Sequence, residues 1–188
     1  DTVYHNYQAN FQTLVVGTSV TNLINAGQVS SKGVEVDVLA RVSSQFTLAA
    51  SVSRINAVVD SFNTPPGAVK IDGQPLPFAP RFKTNIEANY RIPLSEGLKI
   101  DVSTNYAWQS KQQFSLTQTP DTIQGNFGIW NASVALSKPS DGWRVSLLVK
   151  NITDTHYATL LAQAGGFVWR VAPRDSNRYF GMIVRKDF

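Results

Sequence analysis

The 188-residue sequence predicts an all-β chain, an antiparallel up-and-down β-barrel whose strands cross a membrane. Three observations predict it. Apolar and polar residues alternate with period two in segment after segment. The connections between these segments alternate between short and long. The apolar faces are long enough for a bilayer, and the opposite faces carry charges.

Eight strands are expected, over about 2–15, 29–42, 46–60, 81–93, 98–116, 127–138, 143–162 and 178–188. The alternation is clearest in Leu98-Lys99-Ile100-Asp101-Val102-Ser103-Thr104-Asn105-Tyr106-Ala107-Trp108. One face there carries Leu98, Ile100, Val102, Thr104, Tyr106 and Trp108, and the other Lys99, Asp101, Ser103 and Asn105. Phe82, Thr84, Ile86, Ala88, Tyr90 and Ile92 oppose Lys83, Asn85, Glu87, Asn89 and Arg91 in the same way. Val34, Val36 and Val38 oppose Glu35 and Asp37, and Trp143, Val145, Leu147 and Val149 oppose Arg144, Ser146 and Lys150. Helical spacing fits none of these segments.

The short connections are Ser43-Ser44-Gln45, Leu94-Ser95-Glu96-Gly97 and Pro139-Ser140-Asp141-Gly142. The long ones fall at about 16–28, 61–80, 117–126 and 163–177. Short turns at one end and long loops at the other are the pattern of an outer-membrane barrel. Glu-Gly and Asp-Gly supply the positive φ that tight turns require. Aromatic residues such as Trp108, Trp130, Trp143 and Tyr90 sit near strand ends, where a ring can be dry on one side and wet on the other.

Composition narrows the class. Hydrophobic residues are 43% and the net charge is +4, so the chain is not of a disordered type. Cys is 0, which excludes disulfide and thiolate-metal scaffolds. No apolar run approaches the roughly 20 residues of a transmembrane helix. The scattered basic residues give no reason to expect nucleic acid as a partner. Asp1–Asn6 has no signal-peptide pattern and the chain does not begin with Met, so a mature or truncated product is expected. A water-soluble β-sandwich with an aromatic core is the alternative that the alternation also allows.

Four motifs, in order, carry a family resemblance. Lys32-Gly33-Val34-Glu35-Val36 follows a long loop. Leu76-Pro77-Phe78-Ala79-Pro80 leads into Phe82-Lys83-Thr84-Asn85. Val149-Lys150-Asn151-Ile152-Thr153-Asp154-Thr155-His156-Tyr157 resembles a penultimate-strand motif. Pro173-Arg174, then Phe180-Gly181 and the terminal Phe188, resemble a last strand, with Lys186 departing from the usual aromatic or apolar residue. Together, over about 29–188, they resemble the distal barrel of TonB-dependent receptors, and Tyr4 through Gln12 is compatible with one more strand of it.

The resemblance implies that residues 1–188 are the C-terminal eight strands of a probable 22-stranded barrel, with the plug domain outside this chain. It implies TonB-dependent uptake of a scarce solute, a siderophore–iron complex or another small nutrient, across a bacterial outer membrane. The implied partners are outer-membrane lipid and lipopolysaccharide, the plug domain, the TonB complex through that plug, the barrel assembly machinery and the solute. Phe188 would be the assembly signal. A stand-alone eight-stranded outer-membrane protein with a passive or adhesive role, or a soluble β-barrel ligand binder, remains the alternative.

The residues themselves suggest two roles. Glu35, Asp37, Lys83, Glu87, Lys99, Asp101, Arg144 and Lys150 are expected to face the lumen, because a Lys or Arg facing lipid at midplane costs about 2–4 kcal/mol. Phe167, Trp169, Arg170, Arg174 and Arg178 on the last long loop are candidates for solute contact, since arginine forks bind carboxylate or phosphate and rings stack on planar ligands. Lipopolysaccharide phosphates would suit the same group. Phe62 and Phe78 on the second loop pose the same choice.

No catalytic constellation, cofactor or metal site is expected. His5 reads as interfacial beside Tyr7, and His156 as a lumen or rim residue. A set of His156, Asp154 and Ser115 or Ser176 is conceivable but has no spacing to support it. The triplets Asn131-Ala132-Ser133 and Asn151-Ile152-Thr153 match the glycosylation pattern only by chance if they lie in membrane strands.

Overall fold

The computed structural model describes residues 2–15, 18–64, 67, 69–164, 166–174 and 176–187, with side chains from residue 27 onward, Ala164 excepted. Twelve strands form in chain order: β1 (Thr2–Val15), β2 (Thr18–Arg41), β3 (Phe46–Phe62), β4 (Phe82–Pro93), β5 (Lys99–Gln109), β6 (Gln112–Gln113), β7 (Ile123–Gln124), β8 (Phe127–Lys138), β9 (Trp143–Lys150), β10 (Leu160–Ala164), β11 (Phe167–Val171) and β12 (Tyr179–Lys186). Eight of them make one antiparallel sheet in the order β1-β2-β3-β4-β5-β8-β9-β12. Each strand pairs with the next one along the chain that belongs to the sheet. The edges β1 and β12 do not pair with each other, so the sheet is open.

The antiparallel order puts the short β2–β3, β4–β5 and β8–β9 turns at one end, and at the other the long connections together with the close of the β1–β2 hairpin. At the turn end, Glu96 and Gly97 both take positive φ, as does Gly142. The turn before β9 is tied to the last strand, because Asp187 N–H donates to the Gly142 carbonyl at 2.7 Å.

Four strand boundaries differ from those the alternation predicts. β2 begins at Thr18, so the expected loop at 16–28 is instead a long hairpin paired from Val15↔Thr18 to Thr2↔Lys32. Its apolar residues Val20, Leu23 and Ile24 are irregularly spaced, so period two is absent from the sequence although the pairing continues. β3 runs two residues further, to Phe62. β5 ends at Gln109 rather than 116, and the chain then forms the small β6–β7 hairpin. β9 ends at Lys150 rather than 162, because Asn151 turns the chain at φ +49°.

The two faces of the sheet differ as the alternation requires. Val102, Ile86 and Leu147 are 39%, 42% and 54% exposed, and no second sheet covers them among the described residues. A water-soluble sandwich would bury this face, and here it is bare. Among the described residues no helix is long and apolar enough to cross a membrane. Among the described residues a buried apolar cluster lies at the loop end, where Val29, Val59 and Phe62 pack with Ile71 and the flanking Leu76 and Leu116.

Candidate lumen face and rim

The register places the eight expected lumen residues on one face. Glu35 aligns with Ser53 and Lys83, and Asp37 with Ser51 and Asn85. Glu87 aligns with Asn105 and Asn131, and Asp101 with Arg91 and Ala135. Lys99 and Arg144 both align with Ser137. Lys150 shares a depression with Glu87, Asn105 and Asn131. A cavity of about 400 Å³ toward the loop end is lined by Glu35, Asp37, Lys83 and Gln109, and there Gln109 Nε2 is a buried donor without a partner. A second cavity, of about 490 Å³ toward the turns, is lined by Arg41, Gln45, Arg91, Asp101 and Arg144.

Charge pairing on this face centres on one carboxylate. Arg91 Nε donates to Asp101 Oδ1 at 2.9 Å, and Arg144 Nη1 to Asp101 Oδ2 at 2.7 Å. Arg91 was visible in the alternation but stands out only once the register sets it opposite Asp101. Asparagines fill the middle of the same face. Asn105 Nδ2 donates to Asn85 Oδ1 at 2.6 Å.

On the opposite face, rings and aliphatics dominate. Trp130 Nε1 donates to Thr104 Oγ1 at 2.6 Å, which satisfies the only polar atom of its indole. The Tyr106 ring lies directly over Gly128, and any Cβ there would collide with the phenol. An aromatic covering a glycine in this way pins the register of neighbouring strands.

At the other end, three long loops brace one another. Loop 63–81 runs along the edge of β3 through bonds from Val59 N to Gln74 O and from Leu76 N to Ala57 O, both at 3.0 Å. It meets the next loop through Phe78 against Phe114 at 5.0 Å and Gln118 Nε2 to Pro75 O at 2.9 Å. That loop meets the third through Gln124 Oε1, which accepts from Ala158 N at 2.7 Å, and through Phe127 stacked on Tyr157 at 4.3 Å. Phe62 and Phe78 are thus packing residues of the rim. A cavity of about 400 Å³ remains between the first two loops, with Leu76, Phe82 and Ile123 beside Arg81 and Lys111.

The five solute-contact candidates are not gathered into one group. Phe167 and Trp169 share one side of the β10–β11 hairpin and are 73% and 64% exposed, while Arg170, the residue after Trp169, falls on the other side. Arg174 is exposed in the following turn. Arg178 serves the framework: its N–H donates to Asp154 Oδ1 at 2.8 Å and its Nη1 to Ile152 O at 3.3 Å. No hydrogen bond or ring contact joins the five among the described residues.

The penultimate-strand motif proves to be a knot. Asn151 is buried, its Nδ2 donating to the carbonyls of Thr155 and Ser176 and its Oδ1 accepting from Thr155 N. Its backbone N–H reaches Asn131 Oδ1 on β8 at 3.0 Å. Neither asparagine is placed as a glycosylation acceptor. The conceivable triad is not assembled, since Asp154 is held by Arg178 and Ser115 Oγ lies 2.8 Å from Thr117 Oγ1. Among the described residues no three His, Cys, Asp or Glu side chains converge as a metal would require. The expectations for His5 and Tyr7 fall on side chains outside those described, and that for Phe188 on a residue outside the described ones.

Comparison with known proteins decides the family. The family "TonB dependent receptor-like, beta-barrel" matches residues 2–152. This chain belongs to that family. It is accordingly an outer-membrane β-barrel chain, with the open sheet of a partial barrel. Among solved structures, the ferric yersiniabactin uptake receptor FyuA of Yersinia pestis matches all of this chain at a TM-score of 0.78 and 17% identity. The ferric preacinetobactin receptor BauA of Acinetobacter baumannii matches 97% of it at 0.67 and 14%. FpvA of P. aeruginosa, solved with pyoverdines and iron, matches all of it at 0.64 and 16%. The chain spans 30%, 25% and 24% of those three receptors. At these identities the likeness is one of fold. No curated protein matches the chain.

Proposed function

We propose that this chain is the C-terminal barrel wall of a TonB-dependent transporter that takes up a scarce solute, in the first place a ferric siderophore. The observation that carries the reading is the sorting of the sheet. The eight charged residues expected to face the lumen share the face with the polar cavities, and the middle of the other face is bare apolar surface. In a closed barrel the first would look into the lumen and the second into lipid. The likeness to the ferric yersiniabactin receptor, the ferric preacinetobactin receptor and pyoverdine-bound FpvA supports the choice of solute class. In this reading the braced loops form the extracellular rim, and Phe167, Trp169, Arg170 and Arg174 are its most accessible contacts for an anionic or planar ligand. The plug domain would fill the lumen and relay force from the TonB complex. Phe188 would serve the barrel assembly machinery, and lipid and lipopolysaccharide would cover the apolar face.

Uptake in an iron-starved host tests it. Cells carrying the full-length receptor should accumulate radiolabelled iron from a cognate ferric siderophore. Accumulation should stop when the receptor gene is deleted and when TonB is inactivated. Uptake that continues without TonB would refute the transport reading.

A further inference from the structure

Charge on the polar face is sorted by height. In the turn-side half, from the Arg41 level outward, Arg41, Arg91, Lys99, Arg144 and Arg185 stand with one strand acid, Asp101. In the loop-side half, Lys83 and Lys150 stand with Glu35, Asp37 and Glu87. The excess concentrates in the turn-side cavity, which three guanidinium groups line together with one carboxylate. Both oxygens of that carboxylate are taken, one by Arg91 and one by Arg144. Arg41 has no ion-pair partner among the described residues. Arg185 differs, since Asp187 pairs with it at 2.8 Å.

We infer that this cavity is the seat of an acidic segment of the domain that fills the barrel, with an Asp or Glu carboxylate entering between Arg41 and Arg91. The inference rests on the lumen reading above. Three observations favour a polypeptide carboxylate. The cavity lies beside the turns, remote from the exposed rim. Its second neutral wall, Ser44, Gln45 and Thr47, offers hydrogen-bonding groups that suit a main chain. The chain also spans only 30% of the FyuA receptor, so a large part of such a protein lies outside it. A guanidinium fork holds a carboxylate through paired hydrogen bonds, and in a confined lumen such a pair is screened less than on an open surface.

Photo-crosslinking in the full-length receptor tests this. A benzoylphenylalanine is placed at Thr47, which lines the cavity, and in a separate protein at Asn105 on the loop-side half. Folding is checked by heat-modifiable gel mobility. The Thr47 probe should capture a peptide from outside residues 1–188 that carries Asp or Glu within a few residues of the link. Arg41→Glu, and the milder Arg41→Gln, should lower that yield at least several-fold and leave the Asn105 yield unchanged. Capture of a peptide without acidic residues, or a yield indifferent to Arg41→Glu, would overturn the proposal. Loss of the Thr47 product alone overturns only this seat. Loss of both products overturns the filled-lumen reading as well.

Discussion

Arg144 reaches Asp101 across an intervening strand, 2.7 Å from Nη1 to Oδ2. The β8 residues in register with the two, Ala135 and Ser137, are both buried, Ala135 to 2% exposure. The small side chain at 135 leaves room for the ion pair to pass over the strand. The pair in turn fixes the stagger of three strands at the turn end.

Substitution at this crossing should therefore cost stability in two ways. Asp101→Asn should lower the unfolding free energy by about 1 kcal/mol, the upper range for a largely solvated pair. Ala135→Leu should cost about 1–3 kcal/mol through overpacking. Urea unfolding of the full-length receptor in lipid vesicles measures both. If the leucine acts by displacing Arg144, then Ala135→Leu and Arg144→Ala will be non-additive in a double-mutant cycle.

Tyr106 and Gly128 make a second coupled pair, on the lipid-facing side of the proposed barrel. Gly128→Ala should displace the phenol ring and cost about 1–2 kcal/mol. In a Tyr106→Ala background the same change should be nearly neutral. Equal costs in the two backgrounds would show that the ring does not need the glycine.

The loop knot should depend on one amide. Asn151→Ala removes two donations and one acceptance at a buried site and should cost about 1–3 kcal/mol. Asn151→Gly keeps the positive φ but loses the bonds, so it should restore only part of the loss. Limited proteolysis of the loop at 151–178 gives a readout independent of global stability. Cleavage there should speed up in both variants, and more in the alanine one.

Asp141 in the turn before β9 should contribute a small pH dependence. Lys138, 2.8 Å away, and the Ser140 hydroxyl hold its carboxyl below the usual aspartate value. A group lowered on folding stabilises the fold above its unfolded value, near pH 4, and loses that contribution as the pH falls further. Asp141→Asn should thus be slightly less stable than the parent at pH 6, and the gap should narrow as the pH falls below 4. A gap that widens on acidification would contradict the assignment.

Removal of Phe188, or Phe188→Ala, should lower the amount of receptor assembled in the outer membrane. Immunoblots of outer-membrane fractions, with and without heating, measure it. Unchanged levels would show that assembly does not read this terminus.

Much of the architecture could be read directly from the sequence. Period two over Phe82–Ile92 and Leu98–Trp108 sets which face each side chain takes, because a strand allows no other arrangement. Charges restricted to one set of positions then separate wet from dry. Neighbour-to-neighbour antiparallel pairing then puts alternate connections at opposite ends of the sheet. What the pattern could not supply was register, and with it every contact between strands. Arg91 and Asp101 are ten residues apart in the chain, and only the β4–β5 alignment sets them opposite each other. The β1–β2 extension was hidden because its apolar residues do not alternate with its polar ones, and the end of β9 because the turn at Asn151 depends on its positive φ, which period two does not reveal. The dispersal of Phe167, Trp169, Arg170, Arg174 and Arg178 was likewise decided by the hairpin and the Asp154 anchor. Long-range pairing places side chains in space, and nearest-neighbour periodicity carries no record of it.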